Sequence, residues 1–187
     1  MQCTSCNSGT LRPNYLDAAL LCHTCDHCGG HWLYLGDYLR WLEQNRDFDI
    51  VNDTNTPVQA VMDNVAEATP AMLCPYTGVV MLKYRISKDL EHRLDLSPSI
   101  NGIWLAKGKW ELLKREGLAG RLNEIFTSTW QRQIKEGRTR DVMEQKYIEE
   151  FGAERYARLK QIRAWLDAQS NRRAMLAYLL DDDPFSV

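Results

Sequence analysis

No run of eighteen apolar residues occurs in this chain, and no basic stretch followed by an apolar one opens it at Met1-Gln2-Cys3-Thr4-Ser5-Cys6. The first absence argues against a membrane-spanning helix and the second against a secretory leader, so the expected setting is cytoplasmic, with no membrane contact. Charge of a dominant sign is missing too. The formal net charge is only −2, and with 44% apolar residues this excludes a disordered or collagen-like chain. Catalytic signatures are also absent: there is no His-Glu-x-x-His, no Gly-x-Ser-x-Gly and no glycine-rich dinucleotide loop. Gly102-x5-Gly108-Lys109-Trp110 imitates a phosphate loop, but its spacing is one residue long and Trp110 stands where such a loop needs a magnesium-binding hydroxyl. His92, between Glu91 and Arg93, reads as a core or rim residue rather than a base. No enzyme is expected.

What the chain does have is cysteine, concentrated at one end: five of six fall within the first 28 residues. In a reducing compartment such a cluster reads as metal ligands rather than disulfides. Cys3-x-x-Cys6 and Cys25-x-x-Cys28 are two turns, each able to aim two thiolates at one ion, and a hairpin between them would complete a tetrahedron. Four thiolates suit zinc and leave no open position for water, so one structural Zn2+ is expected, held by Cys3, Cys6, Cys25 and Cys28. Cys22 forms an overlapping Cys-x-x-Cys with Cys25, but Gly29 gives the Cys25–Cys28 knuckle its room, and Cys22 reads as a buried strand residue. His23, His27 and His31 flank the site and read as neighbours rather than ligands.

Laying the segment around Trp32 on the segment around Trp104, an offset of 72 residues, aligns Gly30 with Gly102, Trp32-Leu33 with Trp104-Leu105, Gly36 with Gly108 and Tyr38 with Trp110. Upstream, Cys3 faces Cys74 at an offset of 71. This pattern is an internal duplication. The second copy has Cys74, Thr77, Ser97 and Ile100 at the ligand positions, a set that cannot hold zinc, so a metal-free ribbon is expected with Ile100 where the ion would sit. In its strands Val80, Leu82, Tyr84 and Ile86 alternate with Met81, Lys83, Arg85 and Ser87, and Leu90, Leu94 and Leu96 alternate with Glu91, Arg93 and Asp95, with Ser87-Lys88-Asp89 joining the two. In the first copy, Leu11–Leu16 and Ala19–His23 should pair around Asp17. Helices should begin near Gly36-Asp37 and Gly108-Lys109.

From Leu118 onward the apolar period is helical. Four faces read as core: one through Leu118, Leu122, Ile125, Phe126 and Trp130; one through Met143, Tyr147 and Phe151; one through Tyr156, Leu159, Ile162 and Leu166; one through Met175, Leu176, Leu179 and Leu180. Gly137 and Gly152 should separate the first three, and Ser170 should cap the last. The turn formers at 49–57 read as a linker. The expected fold is α+β: a zinc ribbon with its helix (1–48), a linker (49–71), a degenerate metal-free ribbon with its helix (72–117) and a helical region (118–187).

Cys3-x-x-Cys6…Cys25-x-x-Cys28-Gly29-Gly30-x-Trp32-Leu33-x-x-Gly36-Asp37 resembles the bacterial zinc ribbons grouped with the transcription-factor-IIB-type zinc finger, although Thr4 replaces the proline of their first knuckle. Cys74-Pro75-Tyr76-Thr77-Gly78 and Gly102-Ile103-Trp104-Leu105 resemble the same pattern more weakly. The resemblance implies zinc and a ribbon, and a fold likeness does not by itself bring a transcriptional role.

Three functions are weighed on these residues. The first is a non-enzymatic binding or adaptor protein whose partner is another protein. The second is a nucleic-acid-binding regulator using Arg155, Arg158, Arg163, Arg172 and Arg173 of the mildly basic second half. Zinc with four thiolates adds about −2 to an already acidic first half, which disfavours phosphate binding through the ribbon. The third is a zinc or oxidant sensor in which Cys22 exchanges with a ligand. Trp41, Trp110, Trp130 and Trp165 are candidate partner contacts if exposed and core if not.

Overall fold

The computed structural model describes residues 1–45 and 71–185. The expected linker lies outside the described residues. The chain divides into two compact units, Met1–Glu136 and Gly137–Val187. Among the described residues no helix is long and apolar enough to cross a membrane.

The first unit is built on one antiparallel sheet. Strands β1 (Leu11–Leu16), β2 (Leu20–Cys25) and β3 (His31–Tyr34) lead into helix α1 (Leu35–Gln44), and β4 (Leu82–Arg85), β5 (Arg93–Ser97) and β6 (Gly102–Leu105) lead into α2 (Lys109–Arg115). The strand order is β1-β2-β3-β6-β5-β4, so each half supplies three neighbouring strands and the halves meet at β3 and β6. In that seam Trp32 pairs with Trp104, Leu33 with Ile103 and Tyr34 with Gly102. Trp32 and Trp104, which the expected duplication aligns, therefore face each other across the seam. The seam itself was not legible in either half alone, because each half reads as a hairpin plus helix.

Side chains alternate across a strand, so the seam feeds two cores. Leu33, Ile103 and Leu105 join Leu20, Cys22, Leu94 and Leu96 beneath Tyr38, Trp41, Trp110, Leu112 and Leu113 of the helices. Trp32 and Trp104 face the opposite side, with Cys3, Cys25, Met72, Cys74 and Met81. Each indole occupies space left by the other half's glycine. A Cβ on Gly30 would overlap the Trp104 ring, and one on Gly102 would overlap Trp32. Neither buried indole N–H has a hydrogen-bond partner within the described residues. That costs about 1–3 kcal/mol each, so the rings serve here by shape.

Polar ties set the helices on the sheet. The Tyr38 hydroxyl donates to the Ala119 carbonyl at 2.9 Å and accepts from the Leu122 N–H at 3.1 Å, fully buried, fixing α1 to the turn before α3 (Leu122–Ile125). Trp110 Nε1 donates to Asp17 at 2.8 Å and Lys114 pairs with the same carboxylate at 2.7 Å, holding α2 to the β1–β2 turn. At the edge strand β4 the Gln131 side chain both accepts from the Arg85 N–H (3.2 Å) and donates to the Arg85 carbonyl (2.8 Å), standing in for a neighbouring strand.

Several expectations need correction. Met81, just before β4, is buried while Val80 and Leu82 are exposed, because the Met81 N–H bonds the Met72 carbonyl beside the second core and sets the phase there. Asp95 sits buried between Leu94 and Leu96, paired with Lys83 at 2.7 Å. Gly137 does not end a helix: α4 runs unbroken over Ser128–Phe151, and the break comes at Gly152, whose φ is +81°. Asn171, not Ser170, precedes α6 (Arg172–Leu180), and no side-chain cap forms.

In the second unit the helical stripes are not core. Tyr147 stacks on Phe151 and Tyr156, with ring centroids 5.7 and 5.9 Å apart, and Lys160 of α5 (Ala153–Asp167) pairs with Glu144 at 2.7 Å. Leu166 is the one buried apolar side chain among its described residues, while Met143, Leu159, Ile162, Leu179 and Leu180 are exposed. Two thin helices and the end of a third give an apolar stripe nothing to close against.

Candidate metal centre

The two knuckles are turns whose backbone fixes the sulfurs. In the first, the Cys3 N–H bonds the Gly9 carbonyl (2.8 Å), the Asn7 N–H bonds the Cys3 carbonyl (2.9 Å), and Asn7 takes a left-handed φ of +55°. In the second, the Cys25 N–H bonds the Gly30 carbonyl (2.9 Å) and the Gly29 N–H bonds the Cys25 carbonyl (3.1 Å), with Gly29 at φ +70°. Backbone N–H groups point at sulfur in both: Gly9 to Cys6 Sγ at 3.3 Å and Cys28 to Cys25 Sγ at 3.5 Å.

β1 and β2 carry the knuckles together. Cys3, Cys6, Cys25 and Cys28 have all their sulfurs within 4.8 Å of one another, and among the described residues theirs is the group that could hold a metal ion. Cys3 Sγ lies 3.9 Å from Cys28 Sγ and Cys6 Sγ lies 3.7 Å from Cys25 Sγ, two opposite edges of a tetrahedron. Zinc–sulfur bonds of about 2.3 Å demand edges of about 3.8 Å, so the cluster fits one structural zinc ion without rearrangement. The same separations are far too long for disulfides, and all six cysteines are free.

Burial shapes the acidity of the metal-free thiols. It pushes Cys3 up and Cys28 up to about 11. At Cys6 burial works in the same direction but is outweighed by the Ser8 and Gly9 N–H groups and by the neighbouring Cys25 and Cys3 thiols, which bring it down to about 6. Cys6 is thus ready as a thiolate, and the metal must displace the protons of Cys3 and Cys28.

Two contributors escaped sequence reasoning. Gly9 has no room for a side chain: a Cβ there would overlap Cys25 Sγ and His27. Asp26 accepts from the Thr10 N–H (2.7 Å) and from Arg12 (3.0 Å), locking the second knuckle to β1. Cys22 is buried in the core on the other face of the sheet, away from the four sulfurs. His31 bonds Thr24 at 2.9 Å through Nδ1, and burial lowers its pKa. None of His23, His27 and His31 joins the cluster.

Across the seam, residues 72–81 repeat the first knuckle's hydrogen bonds. The Cys74 N–H bonds the Val79 carbonyl (2.8 Å), the Gly78 N–H bonds the Cys74 carbonyl (2.9 Å), and Met81 bonds Met72 as Leu11 bonds Met1. The turn is one residue shorter than its counterpart. Hydroxyls gather beside this turn: Ser99 Oγ lies 3.1 Å from Ser97 Oγ and 3.3 Å from Thr77 Oγ1. Cys74 is buried, yet hydrogen bonds from Ser97 and Thr77 bring its pKa below the ordinary thiol value. Ile100 packs against this core.

Arg155, Arg158 and Arg163 are exposed on α5, and Arg172 and Arg173 on α6, with Arg172 paired to Asp167 at 3.0 Å. Of the four candidate tryptophans, Trp41 and Trp110 are interior, Trp130 is half-buried and donates to the Ile86 carbonyl, and Trp165 is exposed.

Residues 2–44 match the family model of the TFIIB-type zinc ribbon, described as a transcription factor zinc-finger. No curated protein and no solved structure matches the chain.

Proposed function

Starting from a TFIIB-type zinc ribbon at residues 2–44, we propose that the chain is a non-enzymatic adaptor: one structural zinc stiffens a sheet whose second, metal-free ribbon presents a surface to a partner protein. Four thiolates around one ion leave no coordination position for a substrate or a water, so the metal's work is mechanical. The degenerate-copy reading is supported by the repeated knuckle hydrogen bonds, the shared strand order of the two halves and the reciprocal tryptophan–glycine packing.

The observation that carries the adaptor reading is the apolar surface around the metal-free knuckle. Leu73, Tyr76, Val79, Val80 and Leu82 are between 38% and 55% exposed, and Leu73 is bridged directly to Val80. Contiguous exposed apolar residues of this kind mark contact surfaces, and they suit a protein rather than a phosphate backbone. The test is affinity purification with mass spectrometry, comparing the wild type with Leu73→Asp/Val80→Asp. The variant should keep its zinc and lose the partner. A salt-sensitive shift with DNA or RNA, weakened by reversing Arg158 and Arg163, would instead favour the regulator.

A further inference from the structure

Residues 137–185 present a different surface. Their described side chains bury a single apolar residue, Leu166, and leave Val142, Tyr147, Ile162, Trp165, Leu180 and Phe185 between 39% and 82% exposed. Helices of this length gain most of their stability from packing an apolar face, which this unit does not supply to itself. Nor is its charge evenly mixed, although nine Lys and Arg balance nine Asp and Glu. A groove of about 320 Å³ runs between the end of α4 and α5, lined by Phe151, Leu159 and Ile162 with Arg155 and Arg158 against the single acid Glu150. Residues 179–185, Leu-Leu-Asp-Asp-Asp-Pro-Phe, offer the complement: exposed apolar side chains interleaved with carboxylates. Within one chain the two features do not meet. Phe185, beyond α6, packs on Tyr178 of that helix, and no ion pair links Asp181 or Asp182 to Arg155 or Arg158 among the described residues.

From this complementarity we infer that the helical unit self-associates: the 179–185 segment of one copy docks in the α4–α5 groove of a second, with Leu180 over Leu159 and Ile162 and the Asp181 and Asp182 carboxylates toward Arg155 and Arg158. The contact joins two different patches; where a two-fold axis relates the copies it is made twice and closes as a dimer. Apolar burial supplies the affinity, and the charges select the register.

The test is sedimentation velocity of the 187-residue zinc-loaded chain over a concentration series, with circular dichroism to verify helix content. The expected species has twice the 21.6 kDa chain mass. Arg155→Glu/Arg158→Glu and, separately, Asp181→Arg/Asp182→Arg should each weaken association by about tenfold or more, and raised salt should weaken the wild type. The chain carrying both pairs of reversals should recover the dimer. A wild type that stays monomeric at every concentration overturns the inference and leaves the groove to another occupant. So does a dimer that neither reversal disturbs, or two reversals that fail to rescue each other.

Discussion

Replacing Gly102 by alanine, 74 residues beyond the last zinc-cluster cysteine, should weaken the metal centre. The added Cβ would enter the Trp32 indole at its outer ring, where Cζ2 and Cη2 lie against the glycine. Neither side can yield easily: Gly102 is paired to β3 and β5 at once, and Trp32 is completely buried. Overpacking in a tight core costs about 1–3 kcal/mol, and a site with no give belongs near the top of that range. For a unit of this size such a loss lowers Tm by roughly 6–12 °C. Because Trp32 shares its core with Cys3 and Cys25, the displaced ring should also speed zinc transfer to a chromophoric chelator. Gly36→Ala is the control: a Cβ there meets nothing within 4 Å, and inside α1 it should be neutral or stabilising by up to about 1 kcal/mol. Trp32→Phe in the Gly102→Ala background removes the overlapping ring and should return part of the loss, read as a non-additive double-mutant cycle. A Gly102→Ala protein as stable as the wild type, or strictly additive effects, would refute the interlock.

At about pH 7.5 the metal-free cluster holds Cys6 as thiolate while Cys3 and Cys28 keep their protons, so zinc binding should release at least two protons per ion. Calorimetry in buffers of different ionisation enthalpy reads that number, and a release below one contradicts it. Bound sulfurs are thiolates, whereas unfolded thiols titrate near about 8.5, so the stability that zinc contributes is present at neutral pH and lost as pH falls. Tyr38→Phe leaves the Ala119 carbonyl and the Leu122 N–H buried without their partner and should cost about 1–3 kcal/mol in urea unfolding; no change in midpoint would show that the hydroxyl does not hold α1. Gly9→Ala should lower zinc affinity in a chelator competition through its overlap with Cys25 Sγ, and unchanged affinity would refute that crowding.

The metal site was legible because its chemistry is local: two Cys-x-x-Cys turns announce four thiolates regardless of the fold around them. The alignment of Gly30 and Trp32 with Gly102 and Trp104 was legible too, but not its meaning. Each glycine is small because the other half's indole lies on it, a contact made by strands that begin 71 residues apart, at His31 and Gly102, and that no local pattern reports. Asp95 looked like the outward member of an alternating strand, and only the cross-strand approach of Lys83 explains its burial. In the second unit the apolar period placed helix around Met143–Phe151, Tyr156–Leu166 and Met175–Leu180 but put a break at Gly137 that does not occur, and it misjudged the stripes, since periodicity tells which residues share a face and not whether anything covers it.

The most direct test of the whole account is the metal content of the purified 187-residue chain. One zinc per chain is expected, lost in Cys25→Ser and retained in Cys74→Ser. A folded protein without metal, a second equivalent, or loss of zinc on changing Cys74 would contradict a single centre at Cys3, Cys6, Cys25 and Cys28.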